Sequence, residues 1–194
     1  MRYGTRMVLA GVVVLLSACT SANSENDAEG LNVQAVTLSD AQIVRVMQVL
    51  NDGEVVLGKM GEARAKATSA RDFNAKMVTE HTEARQRLDA LSKDQDIMPA
   101  ESQLSVQLVA EVQGQMRVLS SLEGEAFDQA LMDVQVLVHA RAAMVMDALV
   151  VPQVKDDALA AEAVAERQTV QKHLEEALSI QKTLFEAPET PAPP

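Results

Sequence analysis

From Ser39 to Phe185 the apolar residues recur at alternating steps of four and three, the spacing that lays one stripe along an α-helix. Ser39-Asp40-Ala41-Gln42 reads as a capping box, with Ser39 as N-cap and Gln42 reaching back from the third helical position. The first helix then carries Ile43, Met47, Leu50, Glu54, Leu57 and Gly61, and Thr68-Ser69 marks its end. A second helix from near Arg71 carries Met77, His81, Ala84, Leu88 and Leu91 until Pro99 breaks it. Glu101 to Ser120 reads as a shorter helix. Gly124 opens a long apolar one, Glu125 to Val150, which Pro152 closes. The last helix runs from about Asp156 to Phe185 along Leu159, Ala163, Glu166, Val170, His173, Ala177, Ile180 and Leu184.

These segments predict an all-α fold. The four long helices each span roughly 36–46 Å, and the helix between the second and fourth segments is long enough for one traverse of the bundle. If it carries the chain back, the order is up, down, crossover, down, up. That is an antiparallel four-helix bundle of ferritin-like topology with a shorter crossover helix. A plain five-helix array without a crossover is the alternative.

The ends of the chain read differently. Met1 to Leu16 has Arg2 and Arg6 at its start and a short apolar run after them, the pattern of an export signal. Leu16-Ser17-Ala18-Cys19 resembles a bacterial lipoprotein box. That resemblance implies removal of residues 1–18, lipidation of Cys19, and attachment to the cell envelope. Thr20 after the cysteine, where an Asp would mark inner-membrane retention in the enterobacterial pattern, suggests the periplasmic face of the outer membrane. Residues 19–38 are polar and aperiodic and read as a flexible tether, long enough to hold a domain roughly 25 Å from a membrane. Residues 39–185 form the bundle. The Pro-rich stretch 186–194 cannot continue a helix and is expected to be a disordered tail.

Charge and composition narrow the functional classes. The net charge is -11, with 17 basic and 28 acidic residues; loss of Arg2 and Arg6 on cleavage would make it -13. Such a surface disfavours nucleic acid and anionic lipid headgroups. Aromatic residues make up 2% of the chain, so base-stacking platforms are not expected. A single cysteine excludes a disulfide framework and suits the lipidation reading. There is no phosphate-binding glycine loop, no Cys-x-x-Cys and no spacing that supports a nucleophilic triad.

The candidate chemistry lies on the inner stripes. Glu54, His81, His139 and His173 each sit on or beside the stripe of a different long helix, and they include all three histidines of the chain. Asp128, Gln135 and Glu166 share those faces and are candidate supporting groups. Counted from the turn between the first two helices, Glu54, His81 and His139 fall roughly 22, 18 and 21 Å down the bundle. His173 falls about 10 Å down, two turns higher and close to Asp128. Imidazole with carboxylate suits Zn, Cu, Fe or Ni. It also suits a set of buried hydrogen-bonded residues that fixes helix register, or a pH-sensitive acid–base pair. Di-iron carboxylate chemistry is disfavoured, because no Glu stands three residues before any of the histidines. Glu80, adjacent to His81, points about 100° away around its helix. Met132, Met144 and Met146 lie on a nearly all-apolar helix, where packing is their expected role.

Several short segments in order resemble a bacterial family, domain of unknown function 4142, over about residues 38–185. They are Glu54-Val55-Val56-Leu57-Gly58-Lys59, Phe73 to His81, Phe127-Asp128, Gln135 to His139, and His173-Leu174-Glu175-Glu176-Ala177. The resemblance implies export, often as a lipoprotein, and a ferritin-like helical fold. The chain departs from the family pattern at Glu80, where Asp is usual, at Arg85, where Asn is usual, and at Leu131, where Tyr is usual. It also lacks a Leu-Pro before the last histidine segment. The leading expectation is a non-enzymatic envelope lipoprotein that acts by interaction and holds no cofactor. The alternative is a transition-metal-binding bundle, with Zn, Cu or Fe at the Glu/His site. An enzyme with a Glu54/His81 dyad comes third.

Overall fold

The computed structural model describes residues 36–186. The proposed signal peptide, Cys19, all but the end of the tether, and the Pro-rich tail from residue 187 lie outside them. Five α-helices make up the described region: α1 (Asp40–Arg64), α2 (Thr68–Asp94), α3 (Gln103–Ser120), α4 (Gly124–Val145) and α5 (Asp157–Glu186). A π-helical turn, Met146–Val150, extends α4. Among the described residues there is no strand, and no helix is long and apolar enough to cross a membrane.

The order is the one-crossover order. Asp40 at the start of α1 accepts hydrogen bonds from the amides of Lys155 and Asp156 just before α5, so α1 and α5 start at the same end. Arg45 pairs with Glu101 at 2.8 Å, which puts the start of α3 there too. At the far end Arg64 donates to the carbonyls of Leu119 and Leu122, where α3 finishes, and its guanidinium lies 4.2 Å from the centre of the Phe127 ring in α4. Thus α3 runs parallel to α1 along its whole length, and α2 and α4 run parallel to each other. The closest helix pairs are α1 with α2 and α4 with α5, and α3 lies against α1 and α4.

Local signals account for most boundaries. Ser39 and Gln42 form the expected capping box, and a second box, Ser102 with Ser105, starts α3 two residues after the expected Glu101. Asp156 caps α5 by accepting from the amide of Leu159. The α1–α2 turn differs from the sequence expectation. α1 ends at Arg64 and α2 begins at Thr68, where the sequence suggested the end of the first helix, and no local side chain caps α2. Asp128 of α4 instead holds the turn itself: its carboxylate accepts from the amides of Lys66 and Ala67 at 2.6–3.1 Å. The expected helix to Val150 is α-helical only to Val145, and its last turn is π.

The core divides into two apolar clusters. One, around Ile43, Met47, Leu88, Met146 and Leu159, fills the end where α1 starts. The other, around Leu57, Phe73, Met77, Phe127 and Leu131, fills the end with the α1–α2 turn. Between them lies a waist of buried polar side chains: Asn51, Glu54, His81, Gln135, His139, Glu166 and His173. Burying so many polar groups is unfavourable unless they satisfy one another, so the waist has to be an organised network.

Candidate metal centre

The three histidines meet at the waist. Their ring centroids are 5.2 Å (His81–His173), 5.4 Å (His139–His173) and 5.8 Å (His81–His139) apart, and each residue is at most 5% exposed. His173 is level with the other two, not two turns higher. α5 starts at Asp157, so 16 residues, roughly 24 Å of helical rise, separate its first residue from His173.

One nitrogen of each ring is held by a partner outside the cluster, and that partner fixes the tautomer. Asn51 donates through Nδ2 to Glu166 at 2.8 Å and to the Met47 carbonyl at 2.9 Å, so its Oδ1 must accept. His81 Nδ1, 2.8 Å from that oxygen, therefore carries the proton. His139 Nδ1 lies 2.8 Å from the Gln135 carbonyl, which can only accept, so it too is protonated. His173 Nε2 lies 2.7 Å from the Glu80 carboxylate and donates to it. The remaining nitrogens, Nε2 of His81, Nε2 of His139 and Nδ1 of His173, have no hydrogen-bond partner among the described residues. One ligand nitrogen from each ring lies within 4.8 Å of the others. The unpartnered nitrogens are the ones free to serve as those ligand atoms, and they are buried.

Electrostatics keep the rings neutral. Burial, followed by the neighbouring His139 and His173, holds His81 well below the usual imidazole range. Burial lowers His139 to about 4, although its bond to the Gln135 carbonyl opposes the shift. His173 is lowered by burial, with Glu80 pulling the other way. Neutral imidazole is the form that binds metals.

The carboxylates do not join the lone pairs. Glu54 sits behind His139, with Oε1 3.4 Å from the protonated Nδ1, so the expected four-residue cluster reduces to three candidate ligands. Burial pushes the Glu54 carboxyl up to about 8, and its Oε2 has no partner. Burial also pushes Glu166 up to about 7, against the hydrogen bond from Asn51. Gln135 supports the site twice, through its carbonyl to His139 and through its amide to Asn74 Oδ1 at 2.9 Å. Asp128 is not a supporting group of the site, because it is committed to the α1–α2 turn.

Asn51 and Glu80, which hold the rings of His81 and His173, were missed by the sequence reading. Asn51 lies one turn before Glu54 on the same stripe, and that spacing was the available signal. The offset of Glu80 from His81 was read correctly, but it aims Glu80 at His173 of α5 rather than into solvent. Two cavities flank the waist. One of about 250 Å³, between α2 and α5, is polar and lined by Glu80, Glu83, Glu166 and Arg87. The other, of about 290 Å³, is lined mainly by apolar residues of α1, α3 and α4, and His81, His139 and Glu166 form part of its wall.

The model of the family described as domain of unknown function (DUF4142) matches residues 25–180, and the chain belongs to that family. No curated protein and no solved structure matches the chain.

Proposed function

We propose that this protein is a lipid-anchored envelope protein whose bundle binds one divalent transition-metal ion through His81 Nε2, His139 Nε2 and His173 Nδ1. The observation that carries the reading is a buried cluster of three imidazoles, with one ligand nitrogen of each within 4.8 Å of the others and one nitrogen of each held by a hydrogen bond that leaves the other free. Metal-binding histidines characteristically donate their second N–H to a carboxylate, a carbonyl or a similar acceptor, and here all three do. Without a cation, three desolvated and unpartnered lone pairs are an unfavourable arrangement in a core. Imidazole donors select Zn, Cu, Fe or Ni over Mg or Ca. Ligand nitrogens within 4.8 Å of one another need only small side-chain movements to reach metal–nitrogen bonds of about 2.0–2.1 Å. The polar cavity beside the site, with Glu80, Glu83 and Glu166 on its walls, offers a cation a route between α2 and α5.

Attachment through Cys19 is part of the same proposal. It rests on the lipoprotein-like segment Leu16–Cys19, and it would hold an acidic bundle at the periplasmic face of a membrane, acting by binding rather than catalysis. The ligand count supports a second reading. Three protein ligands leave a coordination position for water, the arrangement of catalytic zinc sites.

The test is elemental analysis of the purified full chain together with titration of the metal-stripped chain with Zn, Cu and Fe(II). One ion per chain is expected. Metal at about 100 times its dissociation constant should stabilise the fold by about 2.7 kcal/mol. Failure of all three ions to shift the unfolding midpoint would overturn the proposal.

A further inference from the structure

The buried side chains of the waist are shared between two cavities of opposite character. His81 and His173 line the polar one, with Glu80, Glu83, Arg87 and Glu166. His81 and His139 line the other, of about 290 Å³, whose remaining wall is mainly apolar and includes Leu50, Leu108, Val112 and Ala142. The three-histidine cluster therefore stands between the two, and His81 belongs to both. The apolar cavity lies beneath α3, which packs on α1 and α4 but buries only Ser105, Leu108 and Leu119. Arg141 and Glu111 also line it and pair at 3.3 Å, so each of these charges already has a partner.

Five buried polar atoms on residues of this wall have no partner among the described residues: Nε2 of His81 and His139, Oε2 of Glu54 and Glu166, and Oε1 of Gln115. An ion bound by the histidines would engage the two nitrogens, and the three oxygens would remain. A carboxyl donates or accepts according to its protonation, and a carboxamide oxygen accepts, so these oxygens tolerate head groups of either hydrogen-bonding character. Hydrogen bonding therefore does not select a ligand for this cavity. The ion and the apolar wall do.

We propose that the apolar cavity holds the body of a small organic ligand whose head group coordinates the ion bound by His81, His139 and His173. The inference rests on the metal reading above and names what that site would bind. The head has to carry a lone pair, because it replaces water in the coordination position that three protein ligands leave open. The body has to be apolar, because Leu50, Leu108, Val112 and Ala142 offer it no side-chain hydrogen bond. The polar cavity does not suit such a body, which would strip water from Glu80, Glu83 and Arg87 there. That side suits water and ions. A cavity of about 150 Å³ accommodates benzene, so one of about 290 Å³ suits a molecule of about ten heavy atoms.

The experiment loads the metal-stripped full chain with Co(II), a stand-in for Zn whose visible absorption reports its ligands. The loaded chain is titrated with two pairs of probes, imidazole against 4-phenylimidazole and acetate against phenylacetate. The pairs separate a neutral nitrogen head from an anionic oxygen head, and within each pair only the phenyl group differs. In at least one pair the phenyl-bearing member should change the Co(II) spectrum and bind at least about tenfold more tightly than its parent. In the Zn-loaded chain its ring protons should show nuclear Overhauser contacts with the methyl groups of Leu108 and Val112. Val112→Phe, which fills the cavity, should bring the two members of that pair to within about threefold of each other and leave Co(II) affinity unchanged. The contacts in the unmodified chain decide the matter if that variant does not fold. Failure of Co(II) to bind would overturn the metal reading and this inference with it. Bound Co(II) with no phenyl preference in either pair, or ring contacts with Ala84 and Thr169 of the polar cavity instead, would overturn this inference alone.

Discussion

The Glu80 carboxylate accepts the Nε2 proton of His173 at 2.7 Å, and that bond leaves Nδ1 as the free nitrogen of the ring that packs against His81 and His139. Glu80 is itself half-buried and lies 3.9 Å from the ammonium of Lys76, which in turn holds Glu176 at 2.7 Å. The orientation of a ring on α5 is thus set by a residue of α2. Glu80→Ala should leave the ring free to rotate and lower metal affinity by about 10–100-fold. Glu80→Gln keeps an acceptor and should cost less. Competition against a chelator of known affinity measures both, and equal affinities for Glu80→Ala and the parent would contradict the orienting role.

Replacing any one of the three imidazoles should remove most of the metal-dependent stability. His139→Ala is expected to eliminate the rise in unfolding midpoint on adding Zn, and it leaves a cavity beside Phe73, whose ring centroid lies 6.2 Å from that of His139. His139→Gln is the milder control for that packing loss. A variant that still binds one ion with unchanged affinity would remove His139 from the ligand set.

The buried carboxyls and imidazoles give the metal-free chain a pH optimum. Glu54 and Glu166 are held protonated up to about 8 and about 7, whereas in the unfolded chain they ionise near 4.5. The folded state therefore binds more protons in that interval, and stability falls as pH rises through it. The imidazoles act oppositely. The unfolded chain protonates them below 6.5 while the folded chain keeps His139 neutral to about 4, so stability falls as pH drops below 6.5. Above 6.5 only the carboxyl effect remains. Denaturant titrations of the metal-free chain should show stability declining by on the order of a few kcal/mol between about pH 6.5 and 8.5. Glu54→Gln should remove most of that decline. A stability that climbs steadily through pH 8 would be incompatible with a buried neutral Glu54.

Two glycines should respond in opposite directions to alanine. At Gly61 an added Cβ would come within 2.7 Å of Asn74 Cβ, where α1 and α2 pack closely and Asn74 takes the bond from Gln135. Gly61→Ala is expected to destabilise the fold by about 1–3 kcal/mol, the usual cost of overpacking. At Gly114 the nearest atom is the mobile end of Arg117 at 3.8 Å, so Gly114→Ala should stabilise α3 by about 0.5–1 kcal/mol. Thermal unfolding of both variants is the check, and shifts of the same sign would refute the packing account.

The lipid anchor predicts a fractionation result. The chain should partition with membranes, and Cys19→Ser should release it. Membrane retention of that variant would refute lipidation as the means of attachment.

Helical periodicity identified the five helices and their inner stripes. Ser39 with Gln42 located the start of α1, and segment length alone suggested the crossover. Those features are legible because caps, breakers and 3–4 spacing act over a few neighbouring residues. The placing of His81, His139 and His173 on inward faces was legible for the same reason. What their neighbours do was not. Asp128 looked like a partner for His173 and instead holds a turn 61 residues away in sequence, and Glu54 looked like a ligand and instead backs His139. Glu80 looked peripheral and orients a ring on another helix. These roles depend on how far each helix slides and rotates against the next. A shift of one residue turns a side chain by about 100°, and only the packing of the two apolar clusters sets that rotation.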